Sequence, residues 1–224
     1  MKVTLDACLF GALCDVKESQ RILDIGTGTG LLALMSAQRS KGTIDALELD
    51  PNASQQAKNN VRNSQFAGRI QVLQQDIKQF ISDEPYDTIL CNPPFFSDHL
   101  KGPNAQRNQA RHNDHLSFDD LCASITRLLC EQGKAWILLP CHEFSSFSQK
   151  AQQHQLNVSH GWVIQSKPNK PSHRYVFCLE HEAGMNGRSE IAISEFIKVI
   201  IHSESSGEYS SHFKSLLADF YLKL

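Results

Sequence analysis

Short apolar runs alternate with longer amphipathic ones along this chain, and that alternation sets the predicted elements. Residues 21–25 read as a buried strand, and 30–39 as the helix after it. Residues 43–49 form a second strand and 51–64 a second helix, capped by Asp50 and opened by Pro51. Proline suits the first helical turn, where its missing N–H would be unpaired anyway. Residues 70–73 are a third strand and 86–91 a fourth. The fourth is almost continuously apolar, as a parallel strand covered on both faces should be. A helix over 118–130, a strand over 133–139 and a polar helix over 143–155 follow. Strands over 158–165 and 174–179 flank a linker rich in turn residues, 166–171. In a tail helix over 208–221, Phe213, Leu216, Leu217 and Phe220 share one packing stripe.

Repeated strand–helix alternation implies right-handed crossovers and an α/β sheet, mostly parallel, with helices on both faces. The last two strands have no helix between them and should pair antiparallel. The pattern shows no repeat and no boundary, so a single domain over 1–224 is expected. A polar stretch over 95–117 is too long for a simple connection. It follows a strand's C-terminal end, where open α/β sheets bind ligands.

Composition narrows the class only a little. At 41% hydrophobic and 21% charged, the chain is of ordinary globular type. A net charge of −2 means that any phosphate-bearing partner would need a local basic surface. No apolar run approaches the ~20 residues of a membrane helix, and no signal-peptide pattern opens the chain. A cytoplasmic protein away from membranes is expected. The seven cysteines include no C-x-x-C pair, which speaks against a zinc ribbon or a redox motif. Buried thiols in a reducing compartment are expected instead.

Two constellations carry chemistry. The first is Asp24-Ile25-Gly26-Thr27-Gly28-Thr29-Gly30, joining a strand to a helix. Glycines there allow a tight turn and close ligand approach; the plain alternative is a turn without a ligand. Glu48, 22 residues after Gly26, ends the second strand, where an acidic group can accept from ribose hydroxyls. The glycines fall as G-x-G-x-G, not as the G-x-G-x-x-G of dinucleotide sites. Asp24 would repel a pyrophosphate but favour a sulfonium or an amino group. Both features lean from a nicotinamide cofactor towards S-adenosylmethionine (SAM). Asp76 can accept from an adenine amine or cap a helix before Ile77. Asp50 only caps.

The second constellation is Asn92-Pro93-Pro94-Phe95, ending the fourth strand. Two prolines stiffen the backbone. The Asn92 side-chain carbonyl and the Pro93 carbonyl can accept both hydrogens of an –NH₂ group, leaving its lone pair free. Phe95 offers a face on which a base can stack. The plain alternative is a strand-ending proline turn with a core phenylalanine.

In this order and spacing, these motifs resemble class I SAM-dependent methyltransferases that methylate amino groups. Met1-Lys2-Val3-Thr4-Leu5-Asp6 with Gly11-Ala12, Gln106-Arg107, Ala110-Arg111, His173-Arg174 and Asp219-Phe220-Tyr221-Leu222 resemble the bacterial tRNA1(Val) adenine-37 N(6)-methyltransferase family. The similarity runs over nearly the whole chain. It implies a Rossmann-like, seven-stranded sheet with its last strand antiparallel. It also implies SAM as cofactor and transfer to the N(6) amine of a tRNA adenine, with Asn92, Pro93 and Phe95 catalytic. Cofactor contacts are expected from Thr4, Asp6, Asp24, Gly26, Gly28, Gly30, Glu48, Asp76 and Asn92. Two departures stand out. The family's usual basic, aromatic segment precedes the point where this sequence begins, and Phe95 stands where tyrosine is common.

Pro94 and Phe95 are expected against the base, with Arg107, Arg111, Lys167, Lys170 and Arg174 on phosphates. For Arg107 and Arg111 the plain alternative is a solvated charged loop. His112 and His115 lack partners for a metal set, so no metal is expected, and a monomer is. The rival readings are the same chemistry on a protein glutamine or a DNA adenine, a nicotinamide oxidoreductase, and a non-catalytic RNA-binding module of the same fold.

Overall fold

A computed structural model describes residues 3–93, 116–185, 191–204 and 208–223. The strands are β1 (Arg21–Ile25), β2 (Thr43–Glu48), β3 (Ile70–Gln74), β4 (Tyr86–Cys91), β5 (Leu129–Pro140), β6 (Leu156–Gln165), β7 (Ser172–His181) and β8 (Ile197–Ile200). They form one sheet in the order β3-β2-β1-β4-β5-β7-β6-β8. β7 is antiparallel to both of its neighbours, and every other pairing is parallel. The helices are α1 (Leu5–Leu13), α2 (Leu31–Arg39), α3 (Pro51–Arg62), α4 (Phe118–Leu128), α5 (Phe144–Gln153) and α6 (Ser211–Leu217).

Central strands bury both faces, and their side chains alternate between two cores. Ile89, Ala135, Ile137 and Leu139 point to one core, which Leu121, Ile125, Phe144 and Phe147 of α4 and α5 complete. Leu90, Trp136 and Leu138 point to the other, with Leu9 and Phe10 of α1, Leu32 and Ala33 of α2, and Phe213 of α6. Four of these six helices start at a side-chain cap. The side chains of Thr4, Asp50, Ser117 and Ser210 each accept from a first-turn backbone N–H.

Three elements differ from the sequence expectation. α1 was not foreseen, because it buries residues all round and so shows no polar stripe. The sheet has an eighth strand, β8, a short edge strand in which Ile197 and Lys198 are exposed and Val199 is buried. The tail helix is shorter than 208–221. It stops where the Phe220 and Tyr221 N–H groups both turn back onto the Leu217 carbonyl, at 3.0 and 3.2 Å.

Candidate functional site

Chain direction in the sheet reverses its crossover sense between β1 and β4. The first crossovers lead outward to β2 and β3, and later ones lead to β5 and beyond. A crevice opens at the C-terminal ends of strands at such a switch point. Register then decides which residues meet there. Ile25 pairs with Leu47 on β2 and with Cys91 on β4, so Glu48, Gly26 and Asn92 emerge from the sheet side by side. Glu48 pairs with Gln74 on β3, which puts Asp76 at the same edge.

The glycine loop is held by its acidic neighbours. Gly26, Gly28 and Gly30 have φ of +69°, +59° and +84°, a region that side chains disfavour. A Cβ on Gly26 would meet nothing within 4 Å, so open main chain faces the crevice there. Glu48 Oε2 accepts from Gly28 N at 2.8 Å, and Oε1 from Asp50 N at 2.9 Å. A carboxylate has about four lone-pair sites, so Glu48 keeps about two for hydroxyl donors. Asn60 Nδ2 donates to the Thr29 carbonyl at 2.9 Å and ties the loop to α3. No local pattern marks Asn60, since its role depends on how α3 packs against the loop.

Asp24 is fully buried beneath the loop. One carboxylate oxygen accepts from Thr27 Oγ1 and from Ala33 N, while Oδ1 has no hydrogen-bond partner. Burial pushes its pKa up to about 7; the Thr27 and Ala33 bonds pull it down, and the charge of Glu48 adds to the rise. Asp24 thus shapes the loop from below. Asp76 caps a turn rather than a helix: Oδ1 accepts from Lys78 N at 3.0 Å, and Oδ2 lies 3.6 Å from Lys78 Nζ.

Asn92 is half-buried, and its Oδ1 is buried with no hydrogen-bond partner among the described residues. A buried amide oxygen without a donor loses free energy unless a ligand supplies one. Pro93 is buried behind it. Pro94, Phe95, Arg107 and Arg111, expected to touch substrate, lie outside the described residues, as do His112 and His115.

The remaining expected residues divide. Thr4 Oγ1 accepts from Ala7 N at 3.2 Å as the cap of α1. Asp6 is held by His173 Nε2 at 3.3 Å and Arg174 Nε at 3.5 Å. In the structure Thr4 caps α1 and Asp6 pairs with β7. Arg174, expected on phosphate, is engaged with Asp6 and with the His173 carbonyl. Lys167 and Lys170 sit exposed in the β6–β7 turn, at the same sheet edge as Asn92. A hollow lined by Glu131, Gln155, His181, Glu182 and Ala183 opens at the opposite edge and contains none of these groups. The crevice therefore suits a ligand with ribose hydroxyls and positive charge, beside an acceptor pair for an amine.

Comparison with known proteins agrees with this geometry. Residues 7–116 match the family model "Methyltransferase small domain". The chain is 37% identical over 230 residues to a tRNA1(Val) (adenine(37)-N6)-methyltransferase of Shewanella loihica, covering 100% of this chain and 93% of that one. It is 38% identical over 227 residues to the protein of that name from Bacteroides fragilis, covering 100% and 92%. A crystal structure described as a predicted O-methyltransferase from Agrobacterium tumefaciens superposes with a TM-score of 0.72 at 17% identity, covering 95% of each chain. That likeness shows a shared methyltransferase fold.

Proposed function

The chain belongs to the tRNA1(Val) (adenine(37)-N6)-methyltransferase family, and on that footing we propose how its crevice works. The enzyme methylates the exocyclic N(6) amine of adenine 37 in the anticodon loop of tRNA1(Val). The observation that carries the reading is the orphaned, buried Asn92 Oδ1 beside the glycine loop.

When bound over Gly26–Gly30, SAM supplies an electrophilic methyl on a sulfonium. Glu48 would hold its ribose, Asp76 its adenine, and the loop main chain its remaining groups, with Asp24 as the nearby anion. Adenine's amine conjugates into its ring and is a poor nucleophile. Asn92 Oδ1 and the Pro93 carbonyl accept its two hydrogens, favour a pyramidal nitrogen and aim the lone pair. The same two acceptors stabilise the positive charge that develops on nitrogen, and one proton then leaves to solvent. Catalysis rests on positioning rather than on a strong base or a catalytic metal. Pro94 and Phe95 would stack the base, which must be splayed from its neighbours; a single-stranded loop makes that cheapest. Arg107, Arg111, Lys167 and Lys170 would meet phosphates, and Arg174 would support that edge through Asp6.

Among the described residues no helix is long and apolar enough to cross a membrane. Calorimetry with SAM and with NADH tests the cofactor. Binding of SAM alone supports the reading, and binding of NADH alone overturns it.

A further inference from the structure

We infer that His160, Cys178 and Glu180 form a binding site for one zinc-class divalent cation, set inside the sheet and apart from the methyl-transfer edge. Their ligand atoms all lie within 4.8 Å of one another, the one such cluster among the described residues.

The strand register builds this cluster. Val158 pairs with Leu179, and His160 pairs with Cys178, so β6 spends two residues where β7 spends one. Ser159 is the extra residue of a β-bulge, and bulges re-aim side chains. Without it, Ser159 would stand opposite Cys178 and His160 would face the other core. With it, His160 and Cys178 share a face, and Glu180, two residues along β7, shares it too. Cys178 also pairs with Trp136, whose ring meets the His160 imidazole edge-on at 4.8 Å. The Pro140–Arg174 rung at the crevice edge is four residues along β5 from Trp136, or roughly 13 Å at ~3.3 Å per residue.

The donor set selects the ion. Imidazole, thiolate and carboxylate are zinc ligands, with bonds of ~2.0–2.3 Å, which sets tetrahedral donors roughly 3.3–3.8 Å apart. Closing from 4.8 Å needs side-chain movements of about 1 Å. Magnesium and calcium prefer six or more oxygens, and only one donor here is an oxygen. Ser159 Oγ lies 2.9 Å from His160 Nδ1, a second-sphere hydrogen bond of the kind common around zinc-bound imidazoles. Cys178 and Glu180 are buried, while His160 is partly exposed and gives the ion its way in. On loading, the sulfur–metal bond forms as the S–H bond breaks, and that proton goes to the buffer. Two anionic donors then balance the 2+ charge. A cross-link between β6 and β7 follows, which stabilises the sheet and leaves the chemistry to the crevice.

The test uses untagged full-length protein, stripped with chelator and loaded with Co²⁺. One Co²⁺ per chain is expected, with a near-ultraviolet thiolate-to-cobalt band that Zn²⁺ removes. Cys178→Ser should lose the band, and Cys141→Ser should keep it. His160→Gln, at a partly exposed position, should lose it too and guards against a Cys178 variant that fails to fold. Zn²⁺ should raise the melting temperature of the wild type but not of either site variant. No retained cobalt, a band that survives Cys178→Ser and His160→Gln, or melting indifferent to Zn²⁺ would each mean a hydrogen-bonded polar cluster and overturn the site.

Discussion

Gly26 and Asn92 leave the sheet side by side, because Ile25 of β1 and Cys91 of β4 are register partners. One residue lets a ligand approach the main chain, and the other presents a buried carbonyl oxygen with no donor of its own. That adjacency underlies the proposal that methyl donor and acceptor meet at this edge. The predictions follow from that adjacency.

Asn92→Ala should lower the transfer rate roughly hundredfold or more, the scale on which a single charge-stabilising hydrogen bond acts in a transition state. SAM affinity should stay within a few-fold of wild type if, as proposed, the amide meets the acceptor amine and not the cofactor. Rates on tRNA and calorimetry with SAM, run on the same preparation, separate the two effects.

Gly26→Ala should show the opposite split. A φ of +69° costs an alanine about 1–2 kcal/mol, a modest loss of melting temperature. The added methyl points into open space that the cofactor needs, so SAM should bind about tenfold more weakly or worse. Equal SAM affinity in the variant would show that the cofactor does not approach this glycine.

Asp24 should make stability pH-dependent. Its folded pKa is raised from 3.8 to about 7, so between these values the folded state holds a proton that the unfolded state has released. Stability falls as pH rises through that window. The shift corresponds to roughly 4 kcal/mol at full ionisation. Asp24→Asn lacks this titration, so its stability relative to wild type should climb from pH 5 to pH 8. A constant difference across that range in denaturant melts would contradict the buried, ionising carboxylate.

Lys167 and Lys170 should act on RNA alone. Lys167→Ala/Lys170→Ala should weaken tRNA binding and flatten its salt dependence by roughly 1–2 in log–log slope, since each lost phosphate contact removes ~0.7–0.9. SAM binding should not change. An unaltered salt slope would mean that the β6–β7 turn does not meet the phosphates.

Much of this site was legible in the sequence because it lies at strand ends. Parallel strands of known order bring their C-terminal residues to one edge, so Glu48, Gly26 and Asn92 could be grouped before any coordinates. The tight turn expected of the glycine loop is present, with positive φ at all three glycines. What stayed hidden depends on packing between distant segments. Asp6 meets His173 across 167 positions, and no local pattern announces such a pair. Asn60 supports Thr29 only because α3 lies against the loop. α1 was missed because a helix buried on every side has no amphipathic period. β8 was missed because four residues at a half-exposed edge are too few to show alternation. The His160–Cys178–Glu180 cluster depends on a one-residue bulge at Ser159, which shifts register by an amount that only the paired strands reveal.

The most direct test is transfer from SAM to unmodified tRNA1(Val), followed by nuclease digestion and mass spectrometry of the fragments. The account predicts one methyl group, recovered as N(6)-methyladenosine in the fragment that carries adenine 37, and none when that base is replaced by guanine. Methylation at another nucleotide, or no incorporation by protein that binds SAM, would contradict it.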